Sequence, residues 1–504
     1  MTTIIRLQPD DNVAVARLAL AAGASLGDGL VARDPVPAGH KVALLDISAG
    51  KAVRKYGQII GFASQGIAAG EHVHVHNVEM RAFKRDTAVG AEARPTAFFN
   101  DLDRASFLGY RRANGGVGTR NYLAVLTSVN CSATVARHIA DTFDAKLLAQ
   151  YPNIDGIAAF AHSTGCGMAG AGEGYDNLQR VLWGYARHPN VGGVLMVGLG
   201  CEVNQIDFLL EAYGIERGPR FQTFNIQDAG GTRASIARGQ AILRDMLPVV
   251  NAVERQTAPA SEIVLALQCG GSDAYSGITA NPALGHAADL LVRHGGTAIL
   301  AETPEIYGAE HLLTRRAASP EVAGKLMARI AWWEDYTARH GGEMNNNPSP
   351  GNKRGGLTTI LEKSLGAAAK GGTTNLVDVL RYGEPARQRG FVFMDSPGYD
   401  PCSITGQVAS GSNVVAFTTG RGSVYGCKPA PSIKLATNSA TFDRMEEDMD
   451  INCGDILDRG VTIKDKGEEI FQAILRVASG ERTKSEVLGL GDNEFIPWQI
   501  GAVM

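Results

Sequence analysis

LAVLTSVNC at residues 123–131, IAAFAHSTGC at 157–166, VGGVLMVGLGC at 191–201 and EIVLALQC at 262–269 are the runs that decide the fold. Each is apolar and strand-like, and each ends on a cysteine in a small-residue or glycine-containing loop. Strands that are apolar throughout are buried on both faces, as in a parallel sheet held between helices. Such sheets build their sites at the carboxyl ends of the strands. A lone free cysteine is usually a small buried hydrophobe, but four thiols at strand ends read as a collected set and point to metal-assisted chemistry.

The rest of the chain supports that reading. At 504 residues it is long enough for about three domains. Its 48 basic and 52 acidic residues leave a formal charge of −4, which gives no field for nucleic acid or an anionic membrane, so small metabolites are the expected partners. Seven cysteines without paired spacing, and no secretory leader, argue for free thiols in a reducing cytoplasm. Residues 1–80 hold short β-rich pieces between turns (VPAGHKVALLDI, YGQIIGFA, IAAGEHVHVHNV) and predict a small all-β module. Residues 81–108 lack apolar periodicity and read as a linker. Residues 109–255 alternate strand and helix, and 256–504 form a second α/β region.

In that second region ALQCGGSD, AILAETPE, FVFMDSPGYDP and AFTTGRGS each end a strand in a polar loop, so the loops line one edge of the sheet. Glu302, Glu305 and Asp273 lie there as hard oxygen donors, while Cys131, Cys166, Cys201 and Cys269 offer soft ones. NNNPSPGNKRGG, residues 345–356, is too rich in Asn, Pro and Gly to be helix or strand. Its Lys353 and backbone donors can hold a carboxylate or phosphate, or it is a structured turn that caps a helix. Gly165, Gly167 and Gly170 spell GxGxxG, but no acid ends a strand about 20 residues later, so the glycines are expected to admit a metal or substrate rather than a dinucleotide. In EHVHVHN, strand alternation places His72, His74 and His76 on one face, able to converge on a cation or supply a general acid; the alternative is a solvated polar face. His162 is either a catalytic acid or a hydrogen-bonded strand residue.

Long motifs carry a resemblance: GHKVALLDI, GEHVHVHN, GYRRANGGVGTRNY, GLGCE, QCGGSDAYSGITANP, NPSPGNKRGG and FTTGRGS. The chain resembles the altronate and galactarate dehydratase family of sugar-acid hydro-lyases over nearly its whole length. The resemblance implies an N-terminal β-clip module of the SAF type, a middle α/β domain used in dimerisation, and a C-terminal Rossmann-like domain that binds metal. It also implies a homodimer that dehydrates a sugar acid to a 2-keto-3-deoxy acid with iron: Fe(II), with Mn(II) or an iron–sulfur cluster as alternatives. Cys131, Cys166, Cys201, Cys269, His162, Glu302, Glu305, Lys353 and Arg421 lie inside the matching motifs, whereas Cys402, Cys427 and Cys453 do not. The HxHxH strand and PEIYGAEHLL resemble the altronate branch; DNEFIPWQIGAVM resembles neither branch and leaves galactarate open.

Removing the hydrogen on C2 beside a carboxylate requires enediolate stabilisation by a cation, with His72 and His76 among its expected ligands. His74 or His162 is expected as the acid for the departing C3 hydroxyl, and Arg421 and Lys353 as partners of the substrate carboxylate. A sulfolactate sulfo-lyase is the neighbouring enzymatic reading, and a sugar-acid binding module the non-enzymatic one.

Overall fold

The computed structural model describes residues 3–83, 85–86, 88–113 and 115–504. Its α/β body carries helices on both faces of each sheet, because both apolar sheets must be covered on both faces. The middle sheet is parallel, in the order Gly156–Phe160, Tyr122–Thr127, Val191–Gly198, Phe221–Asn225. Along Tyr122–Thr127 the side chains alternate between two cores. Leu123 and Val125 pack toward the helices Ala133–Ala140 and Thr232–Asn251, while Ala124 and Leu126 pack toward Glu173–Ala186. The same alternation recurs in the C-terminal sheet. Ala266 joins the core shared with the middle domain, and Leu265 and Leu267 face the helices Ala280–Arg293 and Ile463–Ala478. The two domains are therefore fused through one apolar layer, in which helix Glu173–Ala186 packs on helix Asp400–Ala409.

Seven parallel strands make the C-terminal sheet, in the order Leu376–Leu380, Gly390–Met394, Thr297–Leu300, Val264–Cys269, Val414–Thr419, Ser432–Ala436, Ile451–Asn452. The strands that enter and leave the middle domain, Ser106–Arg111 and Arg255–Pro259, pair antiparallel and close its base. The N-terminal module folds as small antiparallel sheets, the largest of four strands (Ile4–Ile5, Val13–Ala16, Lys41–Ala43, His72–Val73).

This module is docked on the C-terminal domain of its own chain. Strand Gln58–Ala63 packs on helix Ile360–Ala368, and the carboxylate of Glu362 accepts from Lys41 Nζ at 2.9 Å and Lys55 Nζ at 3.0 Å, all three side chains being buried. The segment after the module is pinned too: Gly90 N donates to Thr314 O (2.9 Å) and Phe99 N to Arg293 O (2.9 Å). Among the described residues no helix is long and apolar enough to cross a membrane.

Candidate active site

Strand order in the C-terminal sheet reverses between Val264–Cys269 and Val414–Thr419, and open α/β sheets bind ligands at such a switch point. The loops that follow these strands carry Asp273 and Arg421, and Gly420 lets them meet: a Cβ there would lie 2.1 Å from Asp273 Cγ. Asp273 is buried and fully engaged, accepting from Ser276 N (2.9 Å) and Oγ (3.0 Å), Thr437 Oγ1 (3.0 Å) and Asn438 Nδ2 (3.0 Å). It braces the loops. In front of it lies a cavity of about 370 Å³ whose walls include Arg17, Tyr275, Arg354, Arg421 and Arg444. That volume and four guanidiniums suit a small hydroxylated anion.

Arg354, not the expected Lys353, reaches the cavity. The reason is local. Residues Pro350–Arg354 form a short helix, against the loop expected from composition, because Ser349 and Asn352 close a reciprocal capping box and Pro350 occupies the first turn. The helix turns Arg354 toward the N-terminal module, where its carbonyl lies 3.3 Å from His40 Nε2.

His40 belongs to a cluster that period-two alternation does not foresee. The strand His72–Val73 stops after two residues, since Asn77 Oδ1 accepts from His74 N (2.9 Å) and Asn77 Nδ2 donates to His72 O (2.9 Å), curling the chain into a turn. His76 is consequently exposed, its ring 5.3 Å from that of His72. His40 enters from the neighbouring chain segment, with Nδ1 3.0 Å from His72 Nε2, and ligand atoms of His40, His72 and His74 all lie within 4.8 Å of one another. Burial, reinforced by Lys41 and the neighbouring imidazoles, brings His74 down to about 3; burial and His40 bring His72 to about 4. Both are therefore neutral near pH 7 and suited to bind a cation, rather than the imidazolium acid expected from sequence. His74 Nδ1 is buried without a partner.

The thiols of the middle domain do share one rim. Asn130 N donates to Thr164 O (2.9 Å), Asn204 N to Gly165 O (3.0 Å) and Asn204 Nδ2 to Ser128 O (2.9 Å), stitching together the loops that carry Cys131, Cys166 and Cys201. All three are exposed. The glycine at 165, expected to admit a metal or substrate, instead admits backbone: with φ of 98°, its Cβ would lie 2.3 Å from Ser128 O. His162 is one of the struts beneath this rim. It is buried, Nε2–H donates to Thr127 O (2.9 Å), and Nδ1 accepts from Thr164 N (3.3 Å), which leaves no ring nitrogen for substrate.

Cys269 lies apart from that rim, in the C-terminal domain, within a buried cluster with Glu302 and Glu305. Two ammoniums are already inside it: Lys370 Nζ is 2.7 Å from Cys269 Sγ, and Lys363 Nζ is 2.6 Å from Glu305 Oε1. Burial would raise Glu305, yet Lys363 and Lys370 hold it below its ordinary range. Burial, then Glu305, pushes Glu302 well above its own, and burial pushes Cys269 up to about 12. Glu302 also adopts φ of 72°, and both its carboxyl oxygens are buried without a partner. The cluster thus sets two ammoniums around the Glu305 carboxylate, beside a strained Glu302 whose burial disfavours its charged form, and these ammoniums oppose a further cation.

Sequence models of one family match three successive parts of the chain: its SAF domain at residues 2–81, its second domain at 109–251 and its D-galactarate/altronate dehydratase C-terminal domain at 260–503. Galactarate dehydratase (L-threo-forming) of Escherichia coli (strain K12) is 39% identical over 96% of this chain and 95% of its own. Altronate dehydratase of the same strain is 37% identical over 96% of each chain, and that of Bacillus subtilis (strain 168) is 34% identical over 96% of this chain and 97% of its own. The chain belongs to the galactarate/altronate dehydratase family.

In this galactarate/altronate dehydratase family member, four functional candidates went unassigned in the sequence: His40 and Arg354, which lie within GHKVALLDI and NPSPGNKRGG without an expected role, and Lys363 and Lys370, which lie outside the matching motifs. Only register places His40 beside His72, through the pairing of Val42 with His72. Tested as sites for a single divalent ion, the donor sets differ. The imidazoles offer convergent neutral nitrogens and an orphaned Nδ1, and fit a borderline cation such as Fe(II) or Mn(II). The Cys269 cluster does not fit, because of its lysines. Cys131, Cys166 and Cys201 do not converge as one-ion ligands among the described residues.

Proposed function

We propose that this protein is a sugar-acid dehydratase that removes water from an aldonate, with altronate first among the candidates, to give a 2-keto-3-deoxy acid, and that its active site is the arginine-lined cavity at the switch point. The observation that carries this reading is the union of that cavity with a group of neutral histidines from the docked N-terminal module, joined where His40 meets the carbonyl of Arg354. Family membership supplies the reaction class.

Arg421 and Arg354 hold the substrate carboxylate, Arg421 from the carboxyl end of a central strand and Arg354 from the capped helix. A divalent ion on His40, His72 and His74 would supply the Lewis acidity that stabilises an enediolate. With His40, His72 and His74 as ligands of that ion, the exposed His76, its ring 5.3 Å from that of His72, is the neighbouring histidine left to take the C2 proton. The imidazolium so formed gives that proton to the departing C3 hydroxyl, and the histidine ends neutral, having moved one proton from carbon to water. Tyr275 positions the module, its hydroxyl donating to Ala16 O (3.2 Å) and Arg17 O (3.1 Å).

A second reading, an aldarate such as galactarate, is favoured by the number of guanidiniums in the cavity, which can hold a carboxylate at each end of a chain. A homodimer through the middle domain belongs to the same proposal and is read by light scattering. The test of function is a screen of hexonates and hexarates with Fe(II) and a reductant, read by formation of 2-keto-3-deoxy acid. Altronate turnover supports the first reading and galactarate turnover the second; no turnover on either class would overturn both.

A further inference from the structure

A second arginine-rich cavity lies between the middle and C-terminal domains and takes no part in the proposed reaction. It encloses about 380 Å³, and its walls include Arg180, Arg187, Arg381 and Arg387 beside Trp183 and Tyr213. Four guanidiniums face two carboxylates, Asp176 and Glu384, and Glu384 is already held by Arg381 at 3.6 Å. The cations strain against one another. Burial and then Arg381 lower Arg180, while burial and then Arg387 lower Arg187. Arg180 is fixed in place by its bonds to Tyr382 O (2.8 Å) and Asn177 Oδ1 (2.5 Å), whereas Arg187, Arg381 and Arg387 are exposed and can close on an anion.

The apolar part of the wall is equally defined. The Trp183 and Tyr213 rings stack at 5.4 Å with planes 27° apart, and the Arg187 guanidinium stands 5.8 Å from the Trp183 centroid. A positively charged concavity with an aromatic shelf matches an anion whose charge is spread over several oxygens, because each guanidinium fork can meet a pair of them. Phosphate esters are that class. The helix Glu173–Ala186 carries Arg180 and Trp183 at its carboxyl half and starts just after the loop of Cys166, so an occupant would clamp this helix to the C-terminal domain.

We propose that this interdomain cavity is an effector site for a phosphorylated metabolite, with the phosphate oxygens among Arg180, Arg187, Arg381 and Arg387 and, in nucleotide members of the class, the base on the Trp183 shelf. The test titrates the full chain with pyrophosphate, AMP and ADP, following heat by calorimetry and tryptophan fluorescence against a Trp183→Phe control. The expected result is saturable binding of pyrophosphate and ADP below about 1 mM that weakens as salt is raised. The R187Q/R387Q double variant should bind at least about tenfold more weakly. An R233Q variant, altered at an exposed arginine on another helix, should bind as the wild type. Both altered side chains in the double variant are exposed, and its melting temperature without ligand should match the wild type, which separates lost binding from lost fold. Tighter binding of ADP than of pyrophosphate supports the site together with its shelf. No binding of any probe, equal binding by the double variant, or a changed oligomeric state with unchanged binding would overturn the proposal.

Discussion

Replacing Glu362 by glutamine tests whether the N-terminal module is held on the body by a buried charge triad. The carboxylate lies 2.9 Å from Lys41 Nζ and 3.0 Å from Lys55 Nζ, with all three side chains at most 1% exposed, and it also accepts from Thr358 N (3.0 Å) and Oγ1 (2.8 Å). The amide is nearly isosteric, so no cavity opens; what is lost is the carboxylate that, among the described residues, pairs with both ammoniums. Breaking a buried pair by removing one partner costs about 3–5 kcal/mol, which raises the undocked population by more than about a hundredfold. Unfolding of a multidomain chain is not two-state, so the measurement is native-state hydrogen exchange of module amides, with proteolysis in residues 81–104 as a second reporter. The triple variant K41M/K55M/E362L should dock nearly as well as the wild type, since an apolar trio removes the charge and its partners together. The pH dependence has a definite sign. Burial opposes ionisation of Glu362, yet Lys41 and Lys55 hold it far below its ordinary 4.5, so its contribution is full above that pH and fades as pH falls below it. Burial, against the pull of Glu362, brings Lys41 down to about 8, so the unfolded chain binds that proton more tightly than the native one between 8 and 10.5, and docking firms as pH rises through that window. A Glu362→Gln cost below about 1 kcal/mol, or equal losses in the single and triple variants, would refute the argument.

Metal content separates the histidines from the thiols. His40→Ala and His74→Ala should lose bound Fe(II) together with turnover, while Cys166→Ala and Cys201→Ala keep a single ion; iron lost with the thiols, alongside absorption near about 400 nm in anaerobic protein, would move the metal to the rim as a cluster. Arg421→Gln should raise KM for the sugar acid by about ten- to a hundredfold, the worth of one charged hydrogen-bonding partner, with a smaller effect on kcat; an unchanged KM would place the carboxylate elsewhere. Cys427→Ala, buried and far up in pKa at about 12, should leave metal content and turnover unaltered and cost stability by about 1 kcal/mol, read as a shift in melting temperature.

The two parallel sheets were legible because their central strands, such as Tyr122–Thr127, Val191–Gly198, Val264–Cys269 and Gly390–Met394, are nearly continuous apolar runs, a pattern that survives without tertiary context. The histidine strand misled for the opposite reason. Period-two alternation holds only while a strand continues, and Asn77, whose side chain ties the backbone of residues 72 and 74, ends this one after Val73. An asparagine closing the run was the available signal, since its side chain competes with the ladder for backbone partners. Nothing local signals His40, which arrives through strand pairing, or Arg354, which is aimed by a capped helix that composition alone reads as loop.

The charges of LTTILEKSLGAAAK were the least readable of all, because Glu and Lys within a helical run normally mark a solvated face. Here the helix Ile360–Ala368 is buried all round, so each charge must find a partner inside. Adjacent residues on a helix do not face the same way, and the chain uses this: Glu362 turns to Lys41 and Lys55 of the module, while Lys363 turns to Glu305 and Asn347 beneath the C-terminal sheet edge. One rigid turn therefore ties the docking of the module to the charge network that surrounds the strained Glu302. A residue change at either neighbour is felt on both sides of the same helix, which is why the Glu362→Gln variant should also be examined for the ionisation of Asp400, held at about 7 by burial and Glu305. If the helix shifts when the triad is broken, Lys363 is displaced from Glu305, the Glu305 carboxylate loses its counter-charge, and the apparent pKa of the Glu302–Glu305–Asp400 group moves; if only the module is released, that titration stays where it was.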